Sequence, residues 1–166
     1  MQSEIKNFSS IDVFSEDNPL SNYYLVPVEI GGITFPSAEH AYQALKFLSP
    51  TKGGYNSPII IEIRNAETPS QAKEIAHNHE AEMTISDISQ KVMIAYEVMR
   101  SKFFQNYNLR MILLETNLEI LFEQCLGTSE NDRFWGVDIY GDGENVIGNI
   151  LMHIREECSG NEIYQY

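Results

Sequence analysis

Cysteine is scarce in these 166 residues, confined to Cys125 and Cys158. Two are too few for a disulfide framework, and neither stands in a spacing that grips a metal, so both are expected as reduced structural residues. Basic residues are scarce too, 11 against 24 acids, for a net charge of −13. A chain this acidic repels nucleic acid at long range, which disfavours non-specific binding to unmodified DNA. Long apolar runs are missing. No stretch approaches the length that crosses a bilayer, and the N-terminus lacks the basic and apolar blocks of a signal peptide. The expectation is a cytoplasmic protein with no membrane association. There is no Walker loop, no Ser–His–Asp cue and no zinc spacing. A calcium-loop reading from Asp138 fails, because Tyr140 occupies a ligand position and Asn149 stands where the bidentate glutamate belongs. No metal and no cofactor is expected.

What is present is enough chain for one domain over residues 1–166, with a real core and ample aromatics. The charge is uneven: −5 over residues 1–45, +1 over 46–110 and −9 over 111–166. Only the middle third can offer a phosphate a positive site, through Lys46, Lys52, Lys91, Arg100 or Lys102.

The stretch Pro36 to Phe47 organises the reading. Ser37 is a good N-cap, and strong helix formers follow it. At 100° per residue, Glu39, Gln43 and Lys46 share a line, with Ala41, Ala44, Leu45 and Leu48 opposite. The helix points a carboxylate, an amide and an amine one way, on what reads as its polar face. An ordinary solvated face carries Glu–Lys pairs too, so the spacing alone does not make a site.

Before that helix, Phe8, Ile11, Val13 and Phe14 read as anchors and Asp17-Asn18-Pro19 as a turn. Gly31-Gly32 between Val28-Glu29-Ile30 and Ile33-Thr34-Phe35 signals a two-residue hairpin, and Pro27 limits its first strand. After the helix, Ser49 to Pro58 reads as a flexible loop and candidate lid. Thr68-Pro69-Ser70-Gln71 opens a helix running to about His79, with His77 and His79 at its surface. Thr84 to Gln105 is the longest helical pattern, with an apolar stripe of Val92, Tyr96, Met99 and Phe103 flanked by Lys91 and Lys102. Leu109–Glu115 and Leu118–Gln124 read as two more helices, Asn117 capping the second. The glycines around Asp142 precede a closing helix capped by Asn145, whose core face is Ile147, Ile150, Leu151 and Ile154. The expected fold class is α+β, mainly α, with a small antiparallel hairpin near the N-terminus.

Taken in order, these pieces resemble the NADAR (YbiA-like) family of N-glycosidases. The resemblance rests on Ser21-Asn22-Tyr23-Tyr24, the Pro36–Phe47 helix, and Lys91 eleven residues before Lys102-Phe103. It continues with Leu113-Leu114-Glu115-Thr116, Asp132–Gly136 and Asn145–Arg155. Departures from the family pattern fall at Thr84, Asp87, Ala95 and Asp138. The resemblance implies cleavage of a ribose–base bond, with ADP-ribosylated guanine, as nucleotide or in DNA, the expected substrate. A phosphoribosylated riboflavin-synthesis intermediate, or an ADP-ribose-binding module without turnover, are the alternatives. It implies catalytic roles for Glu39, Lys46 and Lys91. It implies substrate-binding roles for Asn22, Tyr23, His40, Gln43, Lys102, Asp132, Trp135, Gly136, Asn145 and Gly148. Glu39 would stabilise a cationic ribose, or a neutral lysine would attack C1′ and open the sugar through a Schiff base.

Overall fold

The computed structural model describes residues 9–12, 15–125, 127 and 129–162. Phe8, Val13 and Phe14 lie outside them, and the side chain of Ile11 is not described. The fold is mainly helical with a small antiparallel hairpin, as the sequence implies. In chain order the elements are β1 (Ser9–Asp12), β2 (Leu25–Ile30), β3 (Ile33–Ser37), α1 (Ala38–Leu45), α2 (Pro58–Arg64), α3 (Pro69–Asn78), α4 (Ile88–Gln105), α5 (Tyr107–Glu115), β4 (Leu121–Gln124), α6 (Glu130–Trp135) and α7 (Val146–Glu162). No helix among the described residues is long and apolar enough to cross a membrane.

β2 and β3 pair antiparallel, with Ile30 opposite Ile33 across Gly31-Gly32. Both glycines have positive φ, 59° and 78°, the backbone such a turn requires. The register is irregular between Leu25 and Val28, where Pro27 can donate no ladder bond. β3 runs directly into α1. Ser37 caps it, its Oγ accepting from the His40 N–H at 3.3 Å. The apolar face of α1 is sealed: Ala38, Ala41 and Ala44 are fully buried, packed with α2, α3 and α4.

Four sequence readings are corrected. Leu118–Gln124 is not a helix. Its second half is β4, which pairs parallel with β1, Leu121 opposite Ser9. Asn117 has φ 51° and closes α5 in the left-handed conformation rather than opening a helix. Its N–H donates to the Leu114 carbonyl at 3.0 Å. α4 begins at Ile88, not Thr84, because Asp87 caps it, accepting from the Ser89 and Gln90 N–H groups. Thr84 instead ties the link to the end of α1, its hydroxyl donating to the carbonyls of Lys46 and Leu48, both at 3.1 Å. The segment 49–57 is not plain loop, and none of its residues lines the cavity described below. It forms two single turns of 3₁₀ helix, and Tyr55 packs on the Gly31 turn, where an added side chain would collide with its ring. α2, with Ser57 as its cap, follows over a stretch that the sequence reading leaves unassigned beyond Pro58.

α7 closes the core with Ile147, Ile150, Leu151 and Ile154 buried, as its periodicity predicts. It packs on α4, α5 and β4. The contact with β4 is unusually close. Asn145, at φ 53°, sends its side chain along the strand: Oδ1 accepts from the Glu123 N–H at 3.0 Å and Nδ2 donates to the Leu121 carbonyl at 2.8 Å. A side chain at Gly148 would collide with that amide and with the Leu121 carbonyl. Arg155, two turns beyond Gly148, donates through Nη1 to Thr116 Oγ1 at 2.7 Å and to the Glu119 carbonyl at 2.9 Å, fixing the turn that leads into β4.

Candidate functional site

A cavity of about 450 Å³ opens between α1, α3, α4, β4 and α6. That is the size range of small-ligand sites. Its floor is the other side of α1. Glu39 and Gln43 are only 3% and 4% exposed and Lys46 9%, so the line of polar residues is not a solvated face. Periodicity correctly predicts that they share a direction; what they face is the cavity.

Glu39 is held on both oxygens. Asn22 Nδ2 donates to Oε2 at 2.5 Å and Gln43 Nε2 to Oε1 at 2.6 Å. Asn22 is itself stapled to the start of α1, its carbonyl accepting from the Glu39 N–H at 2.9 Å. Burial pushes the Glu39 carboxyl above its ordinary range. The Gln43 amide, Lys73, Lys46 and the Asn22 amide all work against that rise. The Gln43 amide oxygen, Oε1, is buried without a hydrogen-bond partner, an acceptor available to a bound hydroxyl.

Lys46, at the C-terminal end of α1, lines the cavity with Nζ 5.1 Å from the Tyr42 ring centre. Burial lowers its pKa to about 8. The Glu39 charge opposes that, and Lys91 and Lys73 add to it. Lys91 and Lys73 also line the cavity, so three amines converge there from α1, α3 and α4. Trp135 lines it beside Tyr42, ring centres 5.8 Å apart in an edge-to-face arrangement, with Phe134 behind at 5.1 Å. Asp132 lies at the same rim. Its Oδ2 accepts from the Ser129 hydroxyl at 2.6 Å in a reciprocal cap of α6.

The structure thus brings Asn22, Tyr23, Glu39, Gln43, Lys46, Lys91, Asp132, Trp135 and Gly136 to one cavity. His40, Lys102, Asn145 and Gly148 do not line it. His40 is fully buried: Nε2 donates to the Ala66 carbonyl at 3.2 Å, which leaves Nδ1 to accept from the Ser37 hydroxyl at 2.8 Å. Burial lowers its pKa, so it is neutral there. Asn145 and Gly148 stand behind β4, as described above. Of the other cations expected for phosphate, Arg100 is engaged through its guanidinium with Glu157 at 2.7 Å.

Lys102 is also fully buried, its Nζ donating to the Ser21 carbonyl at 2.5 Å, so it braces the turn that carries Asn22. Burial lowers its pKa to about 7. A lysine whose folded pKa lies below its unfolded value of about 10.4 binds fewer protons when folded, so its contribution to stability rises with pH across that window. Lys102→Met removes this term. The stability of wild type relative to the variant is expected to rise between pH 7 and 10 by up to about 1.4 kcal/mol per pH unit, read from urea titrations. A difference that is flat with pH contradicts the neutral buried amine.

Several lining residues escaped the sequence reading. Lys73 and His77 come from α3; His77 is exposed, as the sequence predicts, and also lines the cavity. Glu123 comes from β4 and is 3% exposed. It occupies a buried position in the alternation of buried and half-buried residues along Leu121–Gln124, a pattern the structure shows and the sequence Leu-Phe-Glu-Gln does not. Burial raises the Glu123 carboxyl well above its ordinary range, the Glu39 charge adds to that, and Lys73 alone opposes it. Among the described residues no group of three or more His, Cys, Asp or Glu is arranged to hold a metal ion.

Fold and site together define a mainly helical α+β protein whose ligand-sized cavity holds two buried carboxyl groups beside one buried amine, Lys46. The NADAR domain model matches residues 3–159. The chain is 34% identical over 160 residues to N-glycosidase YbiA of Escherichia coli (strain K12), covering 96% of this chain and 91% of that protein. It is 31% identical to the chloroplastic riboflavin biosynthesis protein PYRR of Zea mays, over 94% of this chain and 25% of the maize protein. The NMR structure of E. coli YbiA superposes with a TM-score of 0.75 at 28% identity, covering 95% of this chain and 89% of that one. The chain belongs to the NADAR domain family.

Proposed function

We propose that this protein is an N-glycosidase that hydrolyses the bond between a ribose C1′ and a base nitrogen, with ADP-ribosylated guanine, as nucleotide or in DNA, as its substrate. The observation that carries the reading is Glu39: a buried carboxylate with both oxygens held by amides, at the floor of a ligand-sized cavity. A fixed negative charge that needs no reorganisation is what a developing ribosyl cation requires. The N-glycosidase name of the E. coli relative supports the reaction class. Three amines around one cavity suit a diphosphate better than a monophosphate. The paired aromatics Trp135 and Tyr42 offer a stacking surface for a base. Asp132 at the rim and Gln43 Oε1 at the floor bind ribose hydroxyls.

The maize relative's name favours a second substrate, a phosphoribosylated riboflavin-synthesis intermediate. One experiment separates the two. Guanine-ADP-ribosylated DNA and the ribosylamino-pyrimidine phosphate compete in one tube, and each product is quantified by chromatography. Release of ADP-ribose in excess supports the first reading, and preferential loss of the pyrimidine phosphate overturns it. Unmodified duplex in the same tube is expected not to inhibit, since the chain carries a net charge of −13.

A further inference from the structure

Four residues that follow β4 in the chain, Gly136, Val137, Asn145 and Gly148, pack on or bond to its backbone. Asn145 grips the backbone of Leu121 and Glu123 at 2.8 and 3.0 Å, and Gly148 leaves the room it needs. The Val137 N–H donates to the Glu123 carbonyl at 2.8 Å, and Gly136 has no side chain because that carbonyl lies against it. What β4 offers the cavity through this frame is one side chain, Glu123, with a carboxyl oxygen, Oε2, that is buried and has no hydrogen-bond partner.

We propose that Glu123 is the general acid of the reaction at this cavity, a neutral carboxyl whose Oε2 proton is delivered to the departing base. The inference rests on the N-glycosidase reading above. The two buried carboxyls differ in their partners. Glu39 receives two amide N–H donors, which favour its ionised form, whereas Glu123 Oε2 receives none. Two carboxyls whose surroundings push their proton affinities apart divide into a charged stabiliser and an acid. The charged and titratable groups facing Glu123 are Glu39 on α1, Lys73 on α3, Tyr23 in the turn before β2, and Cys125 on its own segment. Of these, Lys73 alone favours the carboxylate form.

In the step, the C1′–N bond breaks, its electron pair passes to the base, and the Glu123 proton moves to that base. The ribosyl cation is left beside the Glu39 carboxylate. Water then adds to C1′ and gives one proton to Glu123, restoring the acid. The sum is the substrate and one water giving a C1′ hydroxyl and a protonated base. A lysine attack on C1′ needs the same proton for the same leaving group.

The test compares Glu123→Gln and Glu123→Asp with wild type on two substrates: an ADP-ribosylated guanine nucleotide and 4-nitrophenyl riboside 5′-phosphate, whose phenolate leaves without protonation. Melting temperature is measured alongside. Glu123→Gln is expected to lose roughly 100-fold or more on the guanine substrate. It should lose under about tenfold on the nitrophenyl substrate and no longer show the alkaline limb of the wild-type pH profile. Glu123→Asp, still an acid, recovers part of the guanine activity. Equal loss on both substrates, or no loss on the guanine substrate, overturns the assignment while wild-type turnover stands. A wild type inert on both overturns the N-glycosidase reading itself, and the acid role with it.

Discussion

Replacing Glu39 with glutamine is expected to lower turnover by roughly two to three orders of magnitude, the usual loss for one preorganised electrostatic group. Glutamine keeps the volume and the helix but removes the charge. The side chain is only 3% exposed, so the change is not to a solvated surface. The new amide presents N–H groups to an amide donor, either Asn22 or Gln43, and one of these must flip to accept. Against that lost hydrogen bond stands relief from burying a charge. The two effects oppose, and the expected net change in stability is within about 1 kcal/mol, read as a melting shift of a few degrees. A large loss of turnover with a small melting shift is the signature of a group acting on the transition state. Near-native turnover in Glu39→Gln would make α1 a scaffold and move the chemistry elsewhere.

Lys46→Met is the second large effect. At pH 7.5 an amine with pKa about 8 is roughly a quarter neutral, a usable nucleophile. Lys102 is lowered further, to about 7, yet has no opening to the cavity and is sealed against the Ser21 carbonyl. If C1′ is attacked by an amine, borohydride reduction during turnover is expected to add substrate mass at Lys46 alone. Lys46→Met should abolish that adduct and cost on the order of a thousandfold or more in turnover. Lys91→Met should leave the adduct in place, and an adduct lost only in Lys91→Met reassigns the nucleophile to α4. No trapped lysine, together with an essential Glu39, leaves the direct route through a ribosyl cation, with Lys46 and Lys91 binding phosphate.

Local chemistry made the parts of this molecule legible that depend on short stretches. The Gly31-Gly32 hairpin, the Ser37 cap, the Thr68 cap and the apolar face of α7 each follow from residues within one or two turns of each other. The Glu39–Gln43–Lys46 line was legible as a shared direction. Its burial was not, because periodicity says which residues share a face and not what covers it. The misread strand β4 shows the same limit. Its partner β1 lies more than a hundred residues earlier, and its backbone is fixed by Asn145, just ahead of α7. Nothing within Leu118–Gln124 encodes either contact. Glu123 was missed with it. Asn145, Gly148 and Lys102 stood out in the sequence as binding residues, and in the structure they brace the segments that carry Glu123 and Asn22.

Bond cleavage at Glu39 is tested most directly by one paired measurement. Wild type and Glu39→Gln are each titrated with ADP-ribose by calorimetry, and each is incubated at high enzyme with ADP-ribosylated guanine while free base is quantified. The prediction is comparable ADP-ribose affinity in both proteins, with base released by wild type and roughly a hundredfold or more slower by the variant. Tight ADP-ribose binding by a wild type that releases no base would contradict it, and would make this cavity a binding site rather than an active site.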